Sequence, residues 1–273
     1  MSLVVSLRVA DGIVAAADSL STSQNVLQFA AQNIEFECPH CKQKVAGQSM
    51  QLPPLGIPIS ASSYTQKLFS LFGRYALSSF GLGIINERSI YYHVNQFQGE
   101  HKNDSDHDLP RVLACLIEYF EKELVAQFPK FKDEAPADWR PISFHLNGFE
   151  KENERWVGVT YEAHVGKNNE VKRNNLIGCT IGGYLEVVQK LWEIGKGDPL
   201  QKFKYPLFSL QDAVDLSEFL VSSTSTFQRF ANQVQTVGGE IDVGLLTPFH
   251  GFQWIKRKRL TEVLEKGTHR EHE

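Results

Sequence analysis

A serine follows the initiator methionine and stands directly before a run of β-forming residues. Removal of Met1, which is usual when the second residue is small, exposes Ser2 as the N-terminal residue. Such a serine carries a nucleophile and a base together, because an α-amine, with an ordinary pKa of about 8, can accept the hydroxyl proton near neutral pH. The pattern therefore predicts nucleophilic chemistry at Ser2.

A Cys-Pro-His-Cys segment, Cys38 to Cys41, is the second feature with chemical potential. Two thiolates at this spacing on a turn can share a tetrahedral zinc ion. A structural zinc site needs four ligands, and no second pair of this spacing follows. Cys115 and Cys179 fall in or beside predicted regular elements, where buried thiols are common. Three interpretations stay open: half of a zinc site completed by a neighbouring subunit, a degenerate remnant, or a redox pair.

The composition is that of a globular chain with a sizeable core. With 273 residues it forms one large domain or two small ones, and its net charge of −4 provides no general attraction to nucleic acid or to anionic membranes. The basic run from Lys256 to Arg259 is predicted to be a solvated strand edge or tail, with a small anion contact as the alternative. We find neither an apolar run of ~18 residues nor a signal peptide, and four cysteines do not form a disulfide framework. We expect a cytoplasmic protein.

Strands and helices are predicted in separate blocks. Paired strands are predicted at 3–17, 67–80, 142–163 and 241–255, and helices at 86–98, 110–128, 184–193 and 209–230. Residues 24–60 are predicted to be an insertion or an extended loop, and 260–273 a charged tail. This order favours an α+β fold with two sheets between helix layers, in a single domain over 1–259.

The N-terminal stretch resembles the proteasome β-subunit family and its bacterial relatives, such as Anbu and the β-proteobacterial proteasome homologue. That family has an N-terminal threonine, a strand, a D-G-x-V-x-A-A-D hairpin and an S-x-A-T stretch. This chain has Ser2, then Asp11-Gly-Ile-Val-Ala-Ala-Ala-Asp18, then Ser19-Leu-Ser-Thr22. Further on, Lys67-Leu-Phe and Phe80-Gly81-Leu match the family's catalytic lysine and oxyanion glycine in their separation. The resemblance implies a four-layer αββα sandwich, the fold of N-terminal-nucleophile hydrolases.

The resemblance also implies the roles of individual residues. Ser2 is the nucleophile, Lys67 lowers the pKa of its hydroxyl, Asp18 holds the lysine, and the Gly81 N–H stabilises the oxyanion. Thr22 pairs with the substrate backbone. The residues implied to line the first substrate pocket are Ser21, Thr65, Phe69, Ser79, Gly83 and Glu87. A carboxylate at Glu87 favours a basic substrate side chain, with a solvated helix-start glutamate as the alternative.

Three departures from the family pattern are visible. The nucleophile is serine rather than threonine, and Gly183 stands where the family has a supporting serine. The family's supporting aspartate is missing, since Phe230 follows Gln228-Arg229. The expected function is a self-compartmentalising endopeptidase subunit that acts on peptides or unfolded proteins. The resemblance implies a homo-oligomeric ring, an unfoldase as a partner, and catalysis that requires no cofactor.

Two other functions remain open. A catalytically silent scaffold or binding subunit is favoured by the lost supporting residues and opposed by Ser2, Asp18, Lys67 and Gly81. An N-terminal-nucleophile amidase acting on a small amide is opposed by the position of Lys67. Such enzymes often have an arginine close behind the nucleophile, whereas the nearest in this chain is Arg8.

Overall fold

The computed structural model describes residues 2–27, 35–37, 39–42, 44–46, 55–102, 108–194, 203–231 and 233–258. Met1, Cys38 and the tail at 260–273 lie outside the described residues, as does much of 24–60. The chain divides into two compact units. One comprises Met1–Ser21 with Ser62–Glu273, and the other is Thr22–Ala61.

The described elements follow one another in chain order. The strands are β1 (Leu3–Arg8), β2 (Ile13–Ala17), β3 (Ser21–Leu27), β4 (Glu35–Glu37), β5 (Lys44–Ala46), β6 (Leu55–Ser62), β7 (Leu68–Leu71), β8 (Tyr75–Gly81), β9 (Ile84–Ile85), β10 (Arg88–Ser89), β11 (Ile142–Glu152), β12 (Arg155–Val165), β13 (Glu170–Asn174), β14 (Gly178–Gly183), β15 (Asp242–Thr247) and β16 (Gly251–Lys256). The helices are α1 (Ile90–Glu100), α2 (Leu109–Gln127), α3 (Phe131–Glu134), α4 (Glu186–Ile194) and α5 (Leu210–Phe230), with a short 3-10 helix at Tyr205–Leu207.

Two five-stranded antiparallel sheets form the centre of the larger unit. The first sheet has the order β14-β1-β2-β15-β16, and the second has the order β13-β12-β11-β8-β7. Strands β1 and β2 form the predicted hairpin, closed where the Val9 N–H donates to the Gly12 carbonyl at 3.0 Å. The hairpin brings the beginning of β1 and the end of β2 to the same edge, with Val4 opposite Ala17.

Alternation along the strands divides the core into three clusters. In β1, Val4 packs with Ala76 of the second sheet, whereas Val5 packs with Val214 and Val221 of α5. Successive strand residues point to opposite faces, so one strand contributes to both layers. On the far side, the second sheet packs against α1 and α2. The larger unit is therefore a mixed α/β structure with antiparallel sheets, compatible with the predicted α+β sandwich.

Local sequence explains where the long helices begin. Ser209 and Asp212 form a capping box at the start of α5, and Asp108 caps α2 with Pro110 in its first turn. Among the described residues, no helix is long and apolar enough to cross a membrane.

The first helix begins later than predicted. Residues 86–89 were expected to be helical, but α1 begins at Ile90 with Ser89 as its N-cap. Asn86 and Glu87 instead have positive φ angles, 48° and 60°, in the two-residue turn between β9 and β10. Positive φ at both central residues is the requirement of a type I′ hairpin turn, which is incompatible with a right-handed helix.

The described residues of the smaller unit form two strand pairs. Strand β3 pairs with β6, and β4 pairs with β5 in an antiparallel hairpin. Strands therefore occur within the segment for which the sequence predicts an insertion or an extended loop.

Candidate functional site

The carboxylate of Asp18, one residue after β2, is the centre of the candidate site. It is fully buried and accepts four hydrogen bonds. Oδ1 accepts from the Leu3 N–H at 3.0 Å and from Lys67 Nζ at 2.8 Å, and Oδ2 accepts from the N–H groups of Leu20 at 3.1 Å and Gly238 at 3.0 Å. Four donors satisfy the hydrogen-bonding capacity of this buried side chain. One side chain thus ties the start of β1 to Lys67 and to the loop before β15.

Lys67 is buried directly before β7, with only 5 % of its surface exposed. Its ammonium group donates to Asp18 and to the Leu20 carbonyl. Burial lowers the pKa of Lys67 below its ordinary value; the Asp18 carboxylate opposes this effect, and the positive charge of Lys258 adds to it. A lysine that releases its proton more readily is suited to proton transfer.

Ser2 is 5 % exposed and is held through its own backbone and that of the next residue. Its carbonyl accepts from the Tyr184 N–H at 2.7 Å, while the following N–H, that of Leu3, is bound by Asp18. The site therefore fixes the main chain at Ser2 from two sides, and Asp18 links that main chain to the Lys67 ammonium.

Gly183 lies against the Ser2 carbonyl. Its φ is +93°, and a Cβ atom at this position would lie 1.8 Å from the Ser2 carbonyl oxygen. No side chain fits at that distance, and φ in this range favours glycine. The backbone contact itself therefore explains why glycine stands where the resemblance leads us to expect a serine.

Gly81 ends β8 with a φ of +104°, and an added Cβ would lie 2.2 Å from the Pro141 carbonyl oxygen. It is exposed, and the adjacent Leu82 N–H donates to Pro141 at 2.8 Å. Strand β8 is joined to the lysine segment because the Ser79 N–H donates to the Lys67 carbonyl at 2.8 Å. Gly81 therefore lies at the exposed end of β8, two residues after Ser79, which is hydrogen-bonded to Lys67.

Some of the predicted substrate-binding residues lie together and others do not. Gly83 adjoins Ser21, since a Cβ at Gly83 would lie 3.2 Å from the Ser21 hydroxyl oxygen. Ser79 is buried in β8. Glu87 is exposed in the turn between β9 and β10. Thr22 belongs to β3 and is counted with the smaller unit.

Phe69 occupies the hydrophobic core rather than an open surface. Only 3 % of it is exposed, and it packs in the cluster formed by the second sheet with α1 and α2. Its neighbour Leu68 points to the opposite face, into the cluster between the two sheets. Phe69 therefore supports β7 from the helix side.

Lys258 corrects the interpretation of the basic run. The sequence predicts a solvated edge from Lys256 to Arg259, but Lys258 is 3 % exposed and Asp242 is 1 % exposed. The Lys258 ammonium donates to the Asp242 carboxylate, to the Ser19 hydroxyl at 2.8 Å and to the Thr65 carbonyl at 3.2 Å. Lys256 remains at the surface, where it pairs with Glu218. In the sequence, Lys258 is distinguished only by its position shortly after the predicted final strand.

Gln228 is a second structural residue whose role the sequence does not reveal. It is 1 % exposed near the end of α5, and its side-chain oxygen accepts from the N–H groups of Thr236 at 2.9 Å and Val237 at 2.8 Å. Gly238, the next residue, donates to Asp18. A neutral amide thus orders the loop that reaches the candidate site, in the region where the resemblance leads us to expect an aspartate.

The proposed zinc ligands are only partly described. Cys41 is exposed in the turn between β4 and β5, and Cys38 lies outside the described residues. Within the described ranges, no group of three or more His, Cys, Asp or Glu side chains could hold a metal ion.

No protein-family model matches this sequence, and no curated protein matches it either. The geometry of the site therefore carries the functional conclusion.

Proposed function

We propose that the chain is a proteasome-β-like N-terminal-nucleophile hydrolase, a peptidase subunit that acts through Ser2 once Met1 is removed. One observation carries the proposal: the buried Asp18 carboxylate binds both the Leu3 N–H and the Lys67 ammonium, so a lysine with a lowered pKa is tied to the residue next to Ser2. The two antiparallel sheets with helices packed on their outer faces support an αββα sandwich of this class.

The proposed reaction begins with attack of the Ser2 hydroxyl oxygen on a peptide carbonyl. The hydroxyl proton passes to the free α-amine, and the Lys67 ammonium stabilises the developing negative charge. The N–H of Gly81 donates to the oxyanion, a kind of interaction whose loss typically costs about 10²–10³ in rate. Collapse breaks the C–N bond, and the leaving amine takes the proton. Water then hydrolyses the Ser2 ester and regenerates the hydroxyl group.

The substrate of this reaction is a peptide or an unfolded protein. Ser21 and Gly83, which adjoin one another, are proposed to line the first substrate pocket together with Ser79 and Glu87. Assembly into a homo-oligomeric ring in the cytoplasm, with an unfoldase delivering substrate, completes the proposal, and catalysis itself needs no cofactor.

Zinc enters the proposal only as a structural ion. Cys41 lies on an exposed turn, and Cys38, three residues earlier in the sequence, is the second thiol of each proposed half-site. Two copies then provide the four thiolates of a tetrahedral site.

A catalytically silent scaffold subunit is the second candidate. Gly183 favours it, because a side chain that could support the Ser2 amine is excluded at that position by the 1.8 Å approach. The buried Asp18–Lys67 pair favours the hydrolase. Burying two charges costs free energy, and the proposed reaction gives the lysine a task that a scaffold would not.

The test is intact-mass spectrometry of the untagged protein before and after treatment with a β-lactone or epoxyketone probe. We expect loss of Met1 and one adduct, absent in Ser2→Ala. Ser222→Ala is the matched control, because Ser222 lies on α5 and donates only to the Phe219 carbonyl among the described residues. A mature protein that never forms the adduct would exclude the hydrolase and leave the scaffold.

A further inference from the structure

A second buried lysine–carboxylate pair adjoins the first. Besides the Asp242 carboxylate, the Lys258 ammonium binds one acceptor from the segment that carries Asp18 and one from the segment that carries Lys67. Ser19 directly follows Asp18, and Thr65 stands two residues before Lys67. The Thr65 N–H also donates to the Ser19 carbonyl at 3.0 Å, so the two segments are already in contact. Lys258 spans that contact from the chain beyond β16.

Asp242 and Glu240 complete the arrangement around Ser19. The Ser19 hydroxyl accepts from Lys258 and donates to the Glu240 carbonyl at 2.5 Å. The Asp242 carboxylate also accepts from the backbone N–H of Lys258 at 3.1 Å. The Ser19 N–H donates to the Gly238 carbonyl at 2.9 Å, so the N–H, carbonyl and hydroxyl of Ser19 all fix its position beside Asp18. The position of Lys258 is fixed in turn by Asp242.

The charge of Lys258 acts on Lys67. Two charged groups in the described part of the chain bear on the Lys67 ammonium: Asp18, after β2, and Lys258, after β16. The lysine at 258 disfavours a second positive charge at 67, which adds to the effect of burial on the pKa of Lys67. Asp242 pairs with Lys258, and burial raises the pKa of its carboxyl group although Lys258 opposes this.

A purely stabilising role does not explain this arrangement well. Removing two charges from water costs several kcal/mol per ion, and apolar residues of similar volume are often as stable or more stable at such positions. Lys256, two residues earlier, pairs with Glu218 at the surface without this cost.

We propose that Lys258 is a positioning residue for the Ser2 site: it holds the Ser19 and Thr65 segments together so that Asp18 and Lys67 stay paired, and its positive charge acts on Lys67. This inference rests on the proposed hydrolase function, since it assigns a task to a residue that serves that site. Lys258 acts through Lys67 and through the backbone.

The experiment measures the Lys67 ammonium directly. The ¹³Cε resonances of the lysines are titrated by NMR, with Lys67 assigned from Lys67→Met. The variants are Lys258→Met, Lys258→Arg and the doubly neutral Lys258→Met with Asp242→Asn, and the matched control is the surface variant Lys256→Met. The rate of Ser2 labelling by the covalent probe is measured against pH for the same proteins.

We expect the Lys67 titration midpoint to rise by on the order of 0.5–1 pH unit in Lys258→Met and in the double variant. The labelling profile should move in the same direction, Lys258→Arg should restore both, and Lys256→Met should change neither. If Lys258→Met alone fails to fold, the double variant still provides the test. It replaces Asp242 by a neutral residue and so leaves no buried carboxylate without a partner.

A Lys67 midpoint and a Ser2 labelling rate that are both unchanged in a folded variant lacking the Lys258 ammonium would overturn the inference. The proposed function fails separately, through a wild-type protein that is never labelled at Ser2. In that case the NMR titration still decides whether Lys258 acts on Lys67.

Discussion

The Lys67 ammonium lies 2.8 Å from Oδ1 of Asp18, and both side chains are buried. The two partners differ in what else they bind. Asp18 also accepts three backbone N–H groups, whereas the other acceptor described for the ammonium is the Leu20 carbonyl. The carboxylate is therefore better satisfied without the lysine than the lysine is without the carboxylate.

This asymmetry predicts the order of two substitutions. Asp18→Asn should destabilise the fold by about 3–5 kcal/mol, because it leaves the Lys67 ammonium buried without a countercharge. Lys67→Met should cost less, since the backbone donors still stabilise the carboxylate, and both variants should lose Ser2 labelling. Urea unfolding measures the free energies. Lys256→Met, which breaks an exposed pair, should cost about 0–1 kcal/mol.

The contact between Gly183 and Ser2 predicts a severe effect of one methyl group. Gly183→Ala should destabilise the protein by more than about 2 kcal/mol and abolish labelling, because its Cβ would overlap the Ser2 carbonyl. Gly73→Ala is the matched control: its φ of +67° is also positive, but nothing lies within 4 Å of the added atom. That control should lose only about 1–2 kcal/mol. Equal losses in the two variants would show that backbone strain, rather than the contact, determines the effect.

His145 predicts a loss of stability in mild acid. It lies fully buried between the sheets, where burial lowers its pKa from 6.5 to about 4 and Glu162 only partly opposes this. Between these values the unfolded chain binds a proton that the folded chain does not, so stability falls as pH decreases from about 6.5 to about 4. The effect amounts to about 3 kcal/mol.

His145→Gln tests this prediction, because its unfolding free energy should fall less steeply over the same pH range in urea titrations. His250→Gln, at an exposed position, should keep the wild-type slope. Parallel slopes in all three proteins would show that other groups produce the acid dependence.

The shared zinc site predicts a stoichiometry. Metal analysis of the purified oligomer should give about half a zinc ion per chain, since four thiolates from two copies bind one ion. Cys41→Ser should lose the metal and weaken association, measured by light scattering, whereas Cys115→Ser should retain both. A metal-free wild-type protein with an intact assembly would contradict the proposal.

Periodicity predicted the elements whose hydrophobic pattern and end signals all lie within their own stretch of sequence. The β1–β2 hairpin and the capped helices α2 and α5 follow from alternation, a turn signal and capping residues. Strand β13 was missed because its side chains, Glu170 to Asn174, are mostly charged or polar. Strand β13 forms because it pairs with β12 at the edge of the second sheet. The residue pattern of β13 alone does not reveal that pairing.

The sequence by itself determined which residue types are available for chemistry: a serine before a strand, an acid after the next, and a lysine and a glycine around a later hairpin. It also determined the alternation that makes β1 pack on both faces. Only the tertiary structure decided that Lys258 is buried against Asp242 while Lys256 stays exposed, and that Gly183 touches the Ser2 carbonyl. The reason is physical: whether a charge is buried, and how closely two backbones approach, depends on contacts between segments far apart in the chain. Side-chain type and spacing record no such contacts.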